Sequence, residues 1–151
     1  MIIDFHTHIF PPEMKARRQD YLKHDALFTE LFSSPKARIA TADELVSSMD
    51  DAGVDLSVIL NAGWTSHSDC VWTNDYILEG AARYPKRLIP FCAIQPKAGE
   101  AALAELRRCV LGGARGIGEM RADTQGFDMA DKELMGPVVE AARKHNLIFL
   151  T

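Results

Sequence analysis

The residues best suited to chemistry stand at the start of the chain, in Asp4-Phe5-His6-Thr7-His8. In an extended strand, side chains two apart project from one face, so His6 and His8 offer two neutral imidazole nitrogens to a single ion. Imidazole serves Zn, Fe, Ni and Mn(II) alike, and the spacing does not choose among them. Asp4 shares the parity of the histidines and is expected to orient His6 from behind the ligands. Taken alone, such a pair is more often a surface or packing feature than a metal site. Its apolar flanks, its place on the first strand and the excursion that follows favour a metal.

A second candidate is Glu119, in the segment GARGIGEMRAD at 113–123. A carboxylate at a strand end can complete or bridge a metal site, and equally can be a solvated charge. Gly116 and Gly118 resemble a dinucleotide-binding fragment, but no third glycine follows at the required spacing, and that reading is set aside. Arg121 and Asp123 lie just beyond; Arg121 is expected to clamp a carboxylate-bearing substrate, with a salt-bridged loop as the alternative. Trp64 and His67, in the loop after the second strand, are placed near substrate. Gln95 is expected to face the pocket, and Cys92 the core. His24 and His145 have weaker claims, the latter at a helix end that favours cations. No Ser–His–Asp or Cys–His arrangement stands out.

Positioning these residues requires strands that end at one edge. Apolar runs suited to burial on both faces occur at Ile2–Phe5, Val54–Leu60, Leu88–Ile94, Ala114–Gly118 and Leu147–Leu150. Helical stripes lie between them. Thr41 and Glu44 form a capping-box pattern before Leu45, Val46 and Met49, with Gly53 at the far end. A less regular face runs from Cys70 to Tyr84. Ala102, Leu103, Leu106, Cys109 and Val110 make a clean stripe closed by Gly112 and Gly113. Pro137 suits the first position of a last helix, with Lys144 and His145 at its negative end. The order βαβαβαβαβ implies parallel pairing through right-handed crossovers, hence a doubly wound sheet or a barrel. Residues 11–40 break the period as an insertion after the first strand, with one or two short helices expected. Its aromatics Tyr21, Phe28 and Phe32 either wall a pocket or seat the excursion on the body.

At 151 residues, with 47% hydrophobic and 25% charged residues, the chain can bury a core as one α/β domain. A net charge of −4 offers no basic face for nucleic acid or an anionic membrane, and points to a small-molecule substrate. Cys70, Cys92 and Cys109 are odd in number and form no CxxC pair, so reduced buried thiols and a cytoplasmic location are expected. No leader-like or membrane-spanning stretch is present in the sequence.

The opening MIIDFHTHIFPP resembles the start of the amidohydrolase-related branch of the amidohydrolase superfamily, which includes aminocarboxymuconate-semialdehyde decarboxylase. GARGIGEMRAD resembles the fourth-strand segment of the same superfamily. The resemblance covers the whole chain and implies a (β/α)8 TIM-barrel fold, of which this chain supplies about the first four βα units plus strand five. It implies His6 and His8 as metal ligands and Glu119 as a further ligand or bridge. Later-strand histidines and an aspartate that carries protons normally complete the pattern, and these are expected beyond Thr151. Barrels of this kind take roughly 250 residues. The two strand edges left over are expected to meet the remainder of the same barrel or, as a homo-oligomer, a second copy.

The expected cofactor is a divalent metal, zinc first, with Mn, Fe or Ni as alternatives. The expected activity is metal-assisted hydrolysis of an amide, ester or lactone through activated water. Decarboxylation of a small unsaturated carboxylic acid is the close alternative. The remaining one is a catalytically incomplete half-barrel that acts as an oligomerising or partner subunit. A histidinol-phosphatase-like phosphoesterase also opens with HxH, but the residues after His8 suit it less.

Overall fold

A computed structural model describes residues 1–151. Five strands, β1 (Ile3–His8), β2 (Leu56–Leu60), β3 (Leu88–Cys92), β4 (Gly116–Ile117) and β5 (Ile148–Phe149), pair in chain order. Every pairing is parallel. Strand order never reverses, as it would in a doubly wound sheet, so the ribbon curls one way into half of a barrel. β1 and β5 each have one neighbour and one free edge.

Helices α1 (Pro12–Ala16), α2 (Arg18–Tyr21), α3 (Ala26–Phe32) and α4 (Ala42–Ala52) separate β1 from β2, and α5 (His67–Arg83) joins β2 to β3. α6 (Glu100–Leu111) follows β3, and α7 (Ala122–Gln125) and α8 (Lys132–His145) lie between β4 and β5. The capping box at Thr41 and Glu44 forms on both sides, and Gly53 ends α4 with φ 69°, where a side chain would be strained. The end of α8 differs from the sequence expectation. Pro137 lies inside it, and the helix starts instead where the Asp131 carboxylate accepts from the Glu133 and Leu134 N–H groups. A capping side chain that satisfies two free amides is a stronger start signal than the fixed φ of proline.

Alternate residues of each strand face opposite ways. The outer face packs against helices through Ile59, Ile77 and Leu88 on one side, and through Cys92, Leu106, Ile117 and Val138 on the other. Val58, Leu60 and Phe91 form the inner face, with Ile89 and Leu150 against them. A methyl at Gly116 would lie 2.3 Å from the Phe91 ring, so only glycine lets that ring cross β4. Towards the free edges this inner face opens, leaving Ile3, Phe5 and Ile148 between 44% and 49% exposed.

The insertion contains three short helices, one more than expected, and its aromatics seat it on the body. Phe10, Phe28, Phe32 and Trp64 form one buried cluster with ring centroids 4.8–6.2 Å apart. Asp25 caps α3 by accepting from Phe28 N–H and also from the backbone and hydroxyl of Thr65, which ties the insertion to the loop after β2. Arg18 closes the far side by donating to the carbonyls of Phe32, Ser34 and Ala37. No helix is long and apolar enough to cross a membrane.

Candidate metal centre

β1 does not run straight. Ile3 pairs with Leu56 and Asp4 with Ser57, but Thr7 pairs with Ile59 and His8 with Leu60, so one extra residue is inserted between Asp4 and Thr7. Such a bulge reverses the parity of the strand beyond it. Ile3 and Phe5 face inward before the bulge, Phe5 meeting the Phe91 ring edge-on at 5.9 Å, and His8 faces inward after it, beside Leu60. Asp4 pairs with outward-facing Ser57 and is therefore not on the face of the histidines. Its carboxylate accepts from the backbone N–H of His6 at 3.2 Å, not from the imidazole. The expected role of Asp4 thus changes: it satisfies the amide at the bulge, and through the main chain sets where His6 begins.

The two imidazoles converge, with Nε2 atoms 3.0 Å apart. Glu119, joined to Gly118 by a cis peptide bond, brings Oε2 to 3.6 Å from His8 Nε2 and 4.0 Å from His6 Nε2. Two strands separate β1 from β4. In a flat sheet that is three gaps of about 4.8 Å, or roughly 14 Å, and only a curled sheet closes it. All three ligand atoms lie within 4.8 Å of one another.

The electrostatics suit a cation. Glu119 Oε2 is buried and has no hydrogen-bond partner, and the same is true of His8 Nδ1. A buried carboxylate oxygen without a donor is costly unless a positive ligand meets it. Burial, followed by the nearby His6, pushes the His8 pKa down to about 4, with the Asn61 carbonyl opposing. His8 is therefore neutral at physiological pH, with a lone pair available and no proton to displace. Ligand atoms 3.0 Å apart fit adjacent positions on one ion held at about 2.1 Å.

The other sequence candidates fall elsewhere. Trp64 is fully buried, stacked on Phe28, and its indole N–H donates to Thr73 Oγ1 at 2.9 Å, so it belongs to the core and presents no edge to a substrate. Arg121 donates to Glu30 of the insertion and to Asp123, the salt-bridged alternative, while remaining two residues from Glu119. Gln95 turns away from any pocket. It donates to the carbonyls of Trp64, Thr65 and Gln125, while Gln125 donates to Trp64 and Ile94 and accepts from Arg121 N–H. These two amides tie together the loops after β2, β3 and β4, where Gly63 passes so close that a Cβ would lie 3.0 Å from the Glu119 carbonyl. His24 pairs with Asp69, and His67 and His145 lie outside the cluster. The three cysteines are free and buried, as expected.

The sequence matches the amidohydrolase family over residues 3–150. The chain belongs to that family. Among solved structures, it resembles manganese-bound 5-carboxyvanillate decarboxylase of Novosphingobium aromaticivorans, with TM-score 0.80 and 19% identity, covering 99% of this chain and 49% of that one. It also resembles 4-oxalomesaconate hydratase of Rhodopseudomonas palustris, with TM-score 0.66, 20% identity, and coverage of 99% and 51%. A third is 2,6-dihydroxybenzoate decarboxylase from Rhizobium, with TM-score 0.63, 19% identity, and coverage of 98% and 48%. This amidohydrolase chain spans about half the length of the solved relatives it matches. A search of curated protein sequences finds no match.

Sequence reasoning missed the buried polar residues behind the candidate ligands, Asn61, Asn74 and Glu105. A signal for one was present. Cys70, Asn74, Ile77 and Ala81 recur at helical spacing, so Asn74 interrupts an otherwise apolar stripe, and a polar residue there must find internal partners.

Proposed function

We propose that His6, His8 and Glu119 hold a divalent cation in a metal-dependent enzyme, and that its reaction is decarboxylation of a small unsaturated or aromatic carboxylic acid. The observation that carries the reading is the convergence of two imidazole nitrogens from β1 and an unpartnered, buried carboxylate oxygen from the end of β4, with two strands between them. Among the solved relatives, two enzymes are named decarboxylases, one a hydratase and one a probable hydrolase, and all four named substrates bear carboxylate groups. That supports decarboxylation ahead of the amide, ester or lactone hydrolysis expected from sequence. The manganese described in one relative supports Mn²⁺ ahead of zinc.

The cation, when bound, supplies Lewis-acid polarisation of a substrate oxygen. The chain's own residues do the rest of what is assigned here. His6 and His8 bind through Nε2, and Glu119 adds the negative charge that two neutral imidazoles lack. Burial holds the His8 pKa down to about 4, so its ring is neutral near pH 7, the form that suits a ligand. In the reaction, the C–C bond to the carboxylate breaks, CO₂ leaves, and a proton takes its place on carbon. Arg121, beside Glu119 on the same loop, is the cation placed to meet a second anionic group of the substrate once Glu30 yields it. The remaining ligands and the proton donor are assigned to residues outside this chain.

Elemental analysis of the purified protein tests the ligand assignment. About one divalent ion per chain is expected, lost when His6→Ala and His8→Ala are combined. Unchanged metal content in that double variant overturns it. Release of CO₂ from carboxylated phenols or dienes is the activity expected; turnover of lactones, esters or amides without CO₂ release returns the reaction to hydrolysis.

A further inference from the structure

Behind the candidate ligands, on the outer face of the sheet, runs a chain of buried polar side chains that packing alone does not require. Asn74 of α5 is fully buried. Its Nδ2 donates to the Ala93 carbonyl at 2.9 Å and to Glu105 Oε1 at 2.8 Å. Its Oδ1 accepts from Ala93 N–H at 2.8 Å and from Asn61 Nδ2 at 3.2 Å. Two donors and two acceptor sites are all that a side-chain amide possesses, and all four are used. Glu105, itself 5% exposed, is held from the other side by a two-pronged contact from Arg108, which also reaches Asp75.

The amide performs a specific task at Ala93. β3 ends at Cys92, and beyond it the backbone has left the ladder. Asn74 takes both the N–H and the C=O of Ala93, as a neighbouring strand would, and so fixes the chain as it leaves the sheet. Its remaining contact reaches across to Asn61, which immediately follows β2. The Asn61 carbonyl accepts from Glu119 N–H at 3.4 Å. The same residue therefore meets Asn74 through its side chain and the backbone of a candidate ligand through its carbonyl.

We propose that Asn74 is a positioning residue: through the Asn61 side chain it fixes the Asn61 carbonyl, and thereby the placement of Glu119. The proposal rests on the reading of Glu119 as a ligand, but its first test needs no metal. Three variants of the full chain are compared, Asn61→Ala, Asn74→Ala and the truncation Met49→Ala, which lies in a separate core cluster on α4. Asn61→Ala keeps the backbone carbonyl and every Asn74 contact to Ala93 and Glu105, so it remains informative if Asn74→Ala does not fold.

In metal-free protein, Asn61→Ala is expected to speed amide hydrogen exchange at Glu119, while Met49→Ala leaves it at the parental rate. In Mn²⁺ titrations, Asn61→Ala is expected to bind about 10- to 100-fold more weakly than the parent. Parental exchange at Glu119 in folded Asn61→Ala overturns the proposal, as does an equal change in Met49→Ala. Should the parent take up no Mn²⁺, the metal reading fails, and the metal-free comparison still decides whether Asn74 positions Glu119.

Discussion

Two clusters lie side by side at the C-terminal end of the sheet, and they treat their polar atoms in opposite ways. Under the insertion, Phe10, Phe28, Phe32 and Trp64 fill a dry core in which the polar edge of each buried group is answered: the indole N–H meets Thr73, and the Asp25 carboxylate meets three donors. At the ends of β1 and β4, Glu119 Oε2 and His8 Nδ1 are equally hidden from water and have no partner. The two regions share an anchor, since Phe10 stacks on His8 at 6.2 Å with rings nearly parallel. A satisfied cluster holds shape. An unsatisfied one leaves room for a partner that these 151 residues do not supply.

The sharpest way to break this contrast is to truncate the satisfied side. Trp64→Ala removes a fully buried indole and leaves Thr73 without its donor, and is expected to cost about 3–5 kcal/mol of folding stability. Denaturant unfolding measures that loss, and metal stoichiometry of the folded fraction is expected to be unchanged. A loss of metal in proportion to indole removal would make Trp64 part of the site.

Acid probes the unsatisfied side. The His8 pKa is lowered from 6.5 to about 4 in the folded chain, so the unfolded chain takes up the proton first. Stability of the metal-free protein is therefore expected to fall as pH drops from about 6.5 to about 4, by about 3 kcal/mol, and to lose nothing further from this residue below that. Urea titrations across that range check it, and His8→Gln is expected to remove this component.

Two smaller effects refine the comparison. Asp25→Ala strips the cap of α3 and the tie to Thr65, at about 1–2 kcal/mol, measured by thermal unfolding, without altering metal affinity. Arg121→Ala breaks only exposed pairs with Glu30 and Asp123 and is expected to cost under about 1 kcal/mol. If Arg121 meets a substrate carboxylate, KM rises in that variant while Mn²⁺ affinity stays at the parental value. Unchanged KM would return Arg121 to the loop as a structural residue.

Much of this was legible without coordinates, because it depends on short stretches of chain. The parallel α/β alternation, the Thr41–Glu44 cap and the stripes of α4 and α6 follow from local periodicity and local hydrogen bonding. The nomination of His6 and His8 followed from their spacing and flanks. Trp64 was misjudged because a tryptophan in a loop reads the same whether the loop lies open or is roofed by an insertion. Pro137 was misjudged because a proline tolerated inside a helix looks, residue by residue, like one that starts it.

What the sequence determined was the set of elements and the identity of the candidate ligands. What only tertiary structure decided was which faces they share. The bulge in β1 exists only relative to the register of β2, and it separates Asp4 from the histidines that simple alternation would group with it. The meeting of Glu119 with His8 depends on the curl of four strands, and the Asn74 amide is satisfied by three segments distant in sequence. Side-chain parity is set between neighbours along a chain, whereas register and curvature are set between strands, and no single stretch of residues encodes them.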